Sequence, residues 1–183
     1  MLLSTPSIAQ SDVNDVSEEL KIAAVEALIS APADKALPLV TKVLEGNHSS
    51  EVKERALFIL SQIDQPEAQS TLLKVARENQ NDLGLEAVRM IGISGNEESL
   101  ANLASIYENG NSEAREAVLE AYMIAGDKQS VFNIALTAEG DDFDEAIEML
   151  SVMGARDELR ELRGKKGVSE ALLQAYALSG DFE

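Results

Sequence analysis

Apolar residues recur every three or four positions in a series of short stretches along the chain. One such stretch places five apolar side chains on the same side of a helix: Val52, Ala56, Ile59, Leu60 and Ile63. This spacing is typical of an amphipathic α-helix that buries one face. The stretches end at proline, aspartate or glycine. The pattern therefore predicts an all-α fold built from short helices.

Two landmarks indicate that these helices repeat. The first is a large apolar residue four positions before each helix breaker, found at Leu28, Leu60, Ile91, Tyr122, Leu150 and Tyr176. The second is the breaker itself, found at Pro32, Asp64, Gly95, Gly126, Gly154 and Gly180. Both series have successive spacings of 32, 31, 31, 28 and 26 residues. Because one unit of this size cannot bury its apolar face alone, neighbouring units are expected to stack into a continuous core.

A second apolar stripe follows the breaker in most units. In the third unit its members are Leu100, Leu103, Ala104 and Tyr107. Glycine suits the end of the first helix because it adopts the left-handed conformation at little cost. The next residue, such as Asn96 or Asp127, can cap the second helix. Each unit is therefore predicted to be a pair of helices.

The segments Glu86 to Asn96 and Ala117 to Asp127, each followed by a second helix, resemble the HEAT-repeat family. The likeness is to the short bacterial form that is also found in phycobilisome-lyase-type repeats. It covers residues 17–183 and implies a right-handed α-α superhelix, a HEAT-like solenoid of about five and a half helix-pair repeats. The segment from Ala36 through His48 to Leu57 is similar to exported bacterial HEAT proteins.

Residues 1–16 precede the repeats and are interpreted as a disordered N-terminal segment or a signal-peptide remnant. Ser7-Ile8-Ala9 has the small-x-small form of a signal-peptidase site, although a basic region and a long apolar stretch are missing. We therefore expect a periplasmic or secreted protein, with the cytoplasm as the alternative location.

The sixth unit stops at Gly180, where a second helix should begin. A repeat array needs a polar cap on its last unit, and apolar residues such as Leu173 and Tyr176 lack one in the sequence. Two expectations follow: the repeat domain continues beyond residue 183 in the native protein, or its end associates with another copy end to end.

The chain is strongly acidic, with 33 acidic against 15 basic residues and a formal net charge of -18. Binding to nucleic acid is disfavoured because affinity for a polyanion depends on lysine and arginine. The charge either steers a basic protein partner or keeps an extended protein in solution. No stretch approaches the roughly 20 apolar residues of a membrane span, so membrane insertion is not expected.

The residues needed for most catalytic sites are missing. The chain has no cysteine and one histidine, His48, so a Ser-His or Cys-His pair has no support. His48 is interpreted as a hydrogen-bonding loop residue and not as a metal ligand. The segment Glu139 to Glu148 carries six carboxylates without the spacing of a calcium loop, and we expect Asp141 and Asp142 to cap a helix. No enzyme activity, metal or cofactor is predicted.

Two sets of polar residues are candidates for partner contacts. By analogy with HEAT arrays, whose second helices line the concave side, the first set is Lys42, Lys74, Asn102, Ser105 and Asn133. The second set is a basic cluster formed by Arg156, Arg160, Arg163, Lys165 and Lys166. This basic cluster either contacts an acidic partner or pairs with neighbouring acids of its own chain.

The leading hypothesis is a non-catalytic scaffold that binds another protein through its repeat surface. Two alternatives are kept. The resemblance permits an enzyme of the bilin-lyase type, although no cluster of histidine, cysteine or aromatic residues supports it. The chain could also be a structural spacer domain of a larger protein.

Overall fold

The computed structural model describes residues 8–78, 81–167 and 169–179. Every regular element within these ranges is helical, which confirms the predicted all-α class. The chain divides into two compact units, the first ending at Leu72 and the second beginning at Leu73. None of the helices in the described ranges has the length and apolar character needed to cross a membrane.

The first unit is built around three helices and a short 3₁₀ segment. In chain order these are α1 (Ile8–Glu26), a 3₁₀ helix (Ala27–Ser30), α2 (Ala33–Glu45) and α3 (Ser50–Ser61). The next helix, α4 (Pro66–Glu78), begins in this unit and ends in the second. Both α1 and α2 pack against α3, and the core between them contains Val40, Ala56 and Leu60, which are fully buried.

The second unit contains the end of α4 and seven further helices. They are α5 (Asp82–Ser94), α6 (Glu97–Asn109), α7 (Ser112–Ala125), α8 (Lys128–Thr137), α9 (Asp141–Val152), α10 (Arg156–Lys166) and α11 (Glu170–Ser179). The first helices of successive repeats, α5, α7, α9 and α11, pack against one another in that order. We call this row the first-helix layer. The second helices α6 and α8 also pack against the following first helices, α7 and α9.

Turn chemistry explains where the helix pairs of the second unit divide. Gly95, Gly126 and Gly154 all have φ between 63° and 74°, the left-handed region expected for glycine after a helix. The side chains of Asn96 and Asp127 then accept hydrogen bonds from the backbone N–H groups of Ser99 and Ser130. These breakers and caps are therefore confirmed. The sixth breaker, Gly180, lies outside the described residues. The possible cleavage motif begins at Ser7, which also lies outside them.

The structure differs from the sequence-based prediction at the fifth repeat. The expected aspartate caps are wrong, because Gly140, with φ of 60°, is the N-cap residue of α9 and no side chain caps the helix. Asp141 and Asp142 instead lie in its first turn, where the helix dipole favours negative charge. The second helix of this repeat, α10, runs from Arg156 to Lys166.

Other differences concern single positions. Ala104, which the sequence assigns to the apolar stripe of α6, is exposed. The helix α1 begins at Ile8, so helical backbone is already present within the segment 1–16 that the sequence places before the repeats.

Within the first-helix layer, α5 and α7 approach each other closely at Gly92 of α5. A Cβ atom at this position would lie 2.7 Å from both the Cα and the carbonyl oxygen of Ala121 in α7. These are backbone atoms, so the clash could not be relieved by turning a side chain. Glycine at position 92 and alanine at position 121 therefore set the distance between α5 and α7.

We predict that Gly92→Ala destabilises the second unit by forcing α5 and α7 apart. Overpacking costs about 1–3 kcal/mol, partly offset by the better helix propensity of alanine, about 1 kcal/mol. The matched control is Gly164→Ala in α10, where a Cβ atom would meet nothing within 4 Å. Urea denaturation followed by circular dichroism should give a lower midpoint for Gly92→Ala and an equal or higher one for Gly164→Ala. Equal midpoints for the two variants would show that the α5–α7 contact is not tight.

Candidate functional site

An open groove separates two second helices of the second unit. The first helices α5 and α7 are in close contact at Gly92, whereas α6 and α8 do not pack closely against each other within the described residues. The space between α6 and α8 has a volume of about 610 Å³. We call it the α6–α8 groove. A molecule bound there could contact two repeats at once.

Small side chains keep the α6 wall of the groove open. Ala101 and Ala104 lie on this wall, and both are exposed. The opposite wall, on α8, carries Asn133, Ile134 and Thr137. A ligand would thus meet the two methyl groups beside Tyr107 and Glu108 on one side, and a mixture of amide, hydroxyl and aliphatic groups on the other.

Tyr122 of α7 contributes to the base of the groove. Its side chain is buried, and its hydroxyl donates a hydrogen bond to the carbonyl oxygen of Leu100 in α6, at 3.2 Å. Burial raises the pKa of Tyr122 to about 12, so the hydroxyl keeps its proton at neutral pH. The hydrogen bond joins α7 to the preceding second helix beneath the groove.

Arg115 of α7 ties three helices together at one end of the groove. Its guanidinium forms an ion pair with Asp142 of α9, at 2.7 Å. Its Nε donates to the carbonyl oxygen of Tyr107 in α6, at 3.3 Å, and the guanidinium carbon lies 5.8 Å from the centre of the Tyr107 ring. Asp142, which was expected to cap α9, therefore acts as the partner of this arginine.

Tyr107 provides an unused hydrogen-bonding group in the groove. Its hydroxyl is buried and has no hydrogen-bond partner among the described residues. Burial raises the pKa of Tyr107, and the negative charge of Asp142 adds to the effect. The hydroxyl is thus a neutral donor, and leaving such a group unpaired costs about 1–3 kcal/mol. A ligand in the groove could recover part of that cost only by displacing the atoms that cover the hydroxyl.

The five predicted concave-face residues do not form one site, although Asn102 and Ser105 are neighbours on α6. Asn133 lines the α6–α8 groove. Ser105 lines a smaller cleft of about 250 Å³ beside Gly84 and Gly110. Asn102 accepts a hydrogen bond from Arg77 at 2.6 Å. Lys74 is an exposed residue of α4.

The fifth of these residues, Lys42, is an exposed residue of α2 in the first unit. The groove residues Tyr107, Glu108, Ala101 and Ala104 were not predicted as contacts. The one sequence signal for the groove is the pair of alanines, which are too small to fill the space between two helices.

The basic cluster has partners within the chain. Lys165 pairs with Glu161 at 2.7 Å, and Arg160 lies 3.8 Å from Asp157. Lys166 donates to the carbonyl oxygen of Ala138, at 2.7 Å.

Three members of this cluster also lie over aromatic rings. The charged group of Arg163 is 5.4 Å from the centre of the Tyr176 ring. Those of Lys165 and Lys166 are 5.6 Å and 4.9 Å from the centres of the Phe132 and Phe143 rings. Arg156 is exposed at the start of α10. The aromatic contacts hold α10 against its neighbours. The basic cluster thus has contacts within its own chain, as one of the two sequence-based alternatives proposed.

Neither His48 nor the acidic segment forms a metal site in the described part of the chain, where no group of three or more histidine, cysteine, aspartate or glutamate side chains could hold an ion. The Nδ1 atom of His48 is buried without a hydrogen-bond partner. Its ring packs closely over Gly46, where a Cβ atom would lie 2.8 Å away. This contact explains why the junction uses glycine at that position.

Comparison with known proteins agrees with the helix pairing. A family model described as HEAT repeats matches residues 7–85 and 37–124, ranges that together extend from residue 7 to residue 124 and cover more than half of the 183-residue chain. They include all of α1 to α6 and nearly all of α7. No curated protein matches the chain. The chain belongs to the HEAT-repeat family.

Proposed function

We propose that this protein is a non-catalytic scaffold that binds an extended segment of a partner protein in the α6–α8 groove. HEAT repeats generally mediate protein–protein interactions. The observation that supports this particular site is the open groove itself, which lies between two repeats and is lined by Tyr107, whose buried hydroxyl lacks a hydrogen-bond partner among the described residues.

The groove suits a polypeptide in size and in chemistry. Its volume of about 610 Å³ lies within the range of roughly 300–1,000 Å³ that is usual for ligand sites. A peptide backbone offers both a carbonyl acceptor and an N–H donor at nearly every residue. The Tyr107 hydroxyl would donate to a carbonyl, and the side-chain amide of Asn133 could either donate or accept.

The charges at the groove favour a basic segment. Asp142 is neutralised by Arg115, whereas Glu108 lines the groove as an exposed carboxylate. The net charge of -18 adds a long-range attraction that raises the rate of encounter with a basic partner. A lysine or arginine in the bound segment would therefore lie beside Glu108.

The two tyrosines of the groove differ in whether their hydroxyl has a hydrogen-bond partner among the described residues. Tyr107→Phe removes an unpaired hydroxyl and should leave the urea midpoint unchanged or raise it. Tyr122→Phe leaves the carbonyl oxygen of Leu100 without its buried donor and should destabilise the protein by about 1 kcal/mol. Equal loss of stability in both variants would show that the Tyr107 hydroxyl already has a partner.

Because the chain has no cysteine, a single introduced cysteine allows a fluorescent label to be attached in the groove. Ala104→Cys, carrying an environment-sensitive fluorophore, should respond saturably to short peptides that contain lysine or arginine and not to acidic peptides of equal length. Ala24→Cys, at an exposed alanine of α1 in the first unit, is the matched control and should not respond.

Unlabelled protein then tests whether the groove itself is needed. Because a large ring would fill the groove, Ala104→Trp should weaken binding of the selected peptide about tenfold or more, while Ala24→Trp should not. If the groove label responds no more than the control label, the binding proposal is wrong and the spacer alternative gains support. Saturable uptake of an open-chain tetrapyrrole, seen by absorbance, would instead favour the bilin-lyase alternative.

A further inference from the structure

Three exposed aliphatic residues occupy the same repeat position in the second unit. Ile93, Ile124 and Val152 each lie two residues before the glycine that ends their helix, and their exposed fractions are 43%, 45% and 68%. Their helices, α5, α7 and α9, are consecutive neighbours in the first-helix layer. The three side chains therefore form a row across adjacent helices, which we call the apolar row.

The repeat fold does not account for the apolar row. Each of these helices already buries a large residue two positions earlier, Ile91, Tyr122 and Leu150, all of which are nearly inaccessible. Single exposed aliphatic residues are common on protein surfaces, but aligned ones are typical of interaction sites. A large part of each side chain in the apolar row is therefore left uncovered in the part of the chain that the structure describes.

Charged residues flank the apolar row one helical turn away. Arg89, Glu120 and Glu148 precede the three aliphatic residues by four positions, which places them on the same helix faces. Arg89 lies 3.7 Å from Glu120 on the adjacent helix, so side chains at this level of neighbouring helices can reach one another. Arg89 also pairs with Glu86.

The flank becomes more acidic toward α9. Burial raises the pKa of Glu145, as do the nearby carboxylates of Asp142, Glu116, Asp141 and Glu148. The apolar row also lies at the C-terminal ends of α5, α7 and α9, where helix dipoles favour positive charge. Both effects favour a partner that brings lysine or arginine.

We infer that the apolar row and its flanking carboxylates bind a basic amphipathic α-helix of a partner protein, lying across α5, α7 and α9. Neighbouring packed helices have axes about 8–10 Å apart. A bound helix rises about 1.5 Å per residue, so residues seven apart are separated by about 10.5 Å and point to the same side. Apolar residues at positions i, i+7 and i+14 would therefore meet Ile93, Ile124 and Val152 in turn.

An extended strand fits this spacing poorly. Three strand residues also span about 10 Å, but residues three apart point to opposite faces. A second copy of this chain is a weak occupant because each copy carries a net charge of -18 and the two would repel one another. The helix proposal concerns the first-helix layer and does not depend on occupancy of the α6–α8 groove.

The test uses three designed helical peptides of about 18 residues and full-length protein, with affinity measured by fluorescence anisotropy. The first peptide has leucine at i, i+7 and i+14 with lysine on the flanking positions. The second moves the leucines to a spacing of five residues, and the third replaces lysine by glutamate. The first peptide should bind at least about tenfold more tightly than either of the others.

Matched protein variants assign this binding to the apolar row. Replacing Ile93, Ile124 and Val152 by glutamine should weaken binding of the first peptide about tenfold or more, with the fold retained because all three side chains are exposed. The control replaces Leu20, Ile29 and Leu39 by glutamine; these residues of the first unit are 66%, 53% and 50% exposed and should have no effect on binding.

Two further variants separate charge from apolar contact and this surface from the groove. Glu120→Gln combined with Glu148→Gln should weaken binding and reduce its dependence on salt. Ala104→Trp, which blocks the α6–α8 groove, should leave binding of the helical peptide unchanged.

Three results would overturn the proposal: equal losses in the apolar-row and control variants, equal binding of the two leucine spacings, or self-association in sedimentation experiments that only the apolar-row variant abolishes. The last result would assign the apolar row to contact between copies of this chain.

Discussion

The contact between α5 and α7 at Gly92 determines the spacing of the helices around it. With no side chain at this position, the backbone of α7 at Ala121 approaches to a distance that a Cβ atom could not accept. Close packing of this kind maximises dispersion contacts between the two helices. The second helices α6 and α8 carry no equivalent glycine contact, and alanines such as Ala101 and Ala104 face the space between them. The second unit therefore combines tight packing between α5 and α7 with loose packing between α6 and α8, and the loose packing leaves the groove.

Polar contacts then fix the sides of the groove. Tyr122 and Arg115 both extend from α7 and bond to backbone carbonyl groups of α6, so the position of α6 relative to α7 depends on them. Arg115 also reaches Asp142 of α9, which connects the groove to the next repeat. Arg115 neutralises one carboxylate of a protein whose net charge is -18. Other carboxylates, such as Glu108 and Glu145, keep the electrostatic potential of the surface negative.

The sequence predicted features whose causes are local. Gly95, Gly126 and Gly154 end helices because of backbone conformation at single residues, and Asn96 and Asp127 cap because of hydrogen bonds three residues away. The groove depends instead on whether a neighbouring helix covers a given face. Periodicity placed Ala104 on a helix face with Leu103 but could not show that this part of the face is left open. The caps expected at Asp141 and Asp142 failed for a local reason, because α9 begins one residue after Gly140 and both aspartates fall in its first turn. The pairing of Asp142 with Arg115 of another repeat was the part that the sequence could not show.

The two candidate binding surfaces use the same repeat in different ways. The groove arises where packing between repeats is incomplete, so its shape depends on residues specific to α6 and α8. The apolar row arises where the repeat is regular, because equivalent positions on α5, α7 and α9 carry the same type of side chain. A partner that binds the apolar row must place its apolar side chains at the same spacing as α5, α7 and α9. A partner in the groove must instead fit the single space between α6 and α8. Since Tyr122 and Ile124 lie on the same helix, α7 contributes to both surfaces. A scaffold with this arrangement can hold two segments on opposite sides of one helix, and if both belong to one partner, the second contact forms at the high effective concentration set by the first.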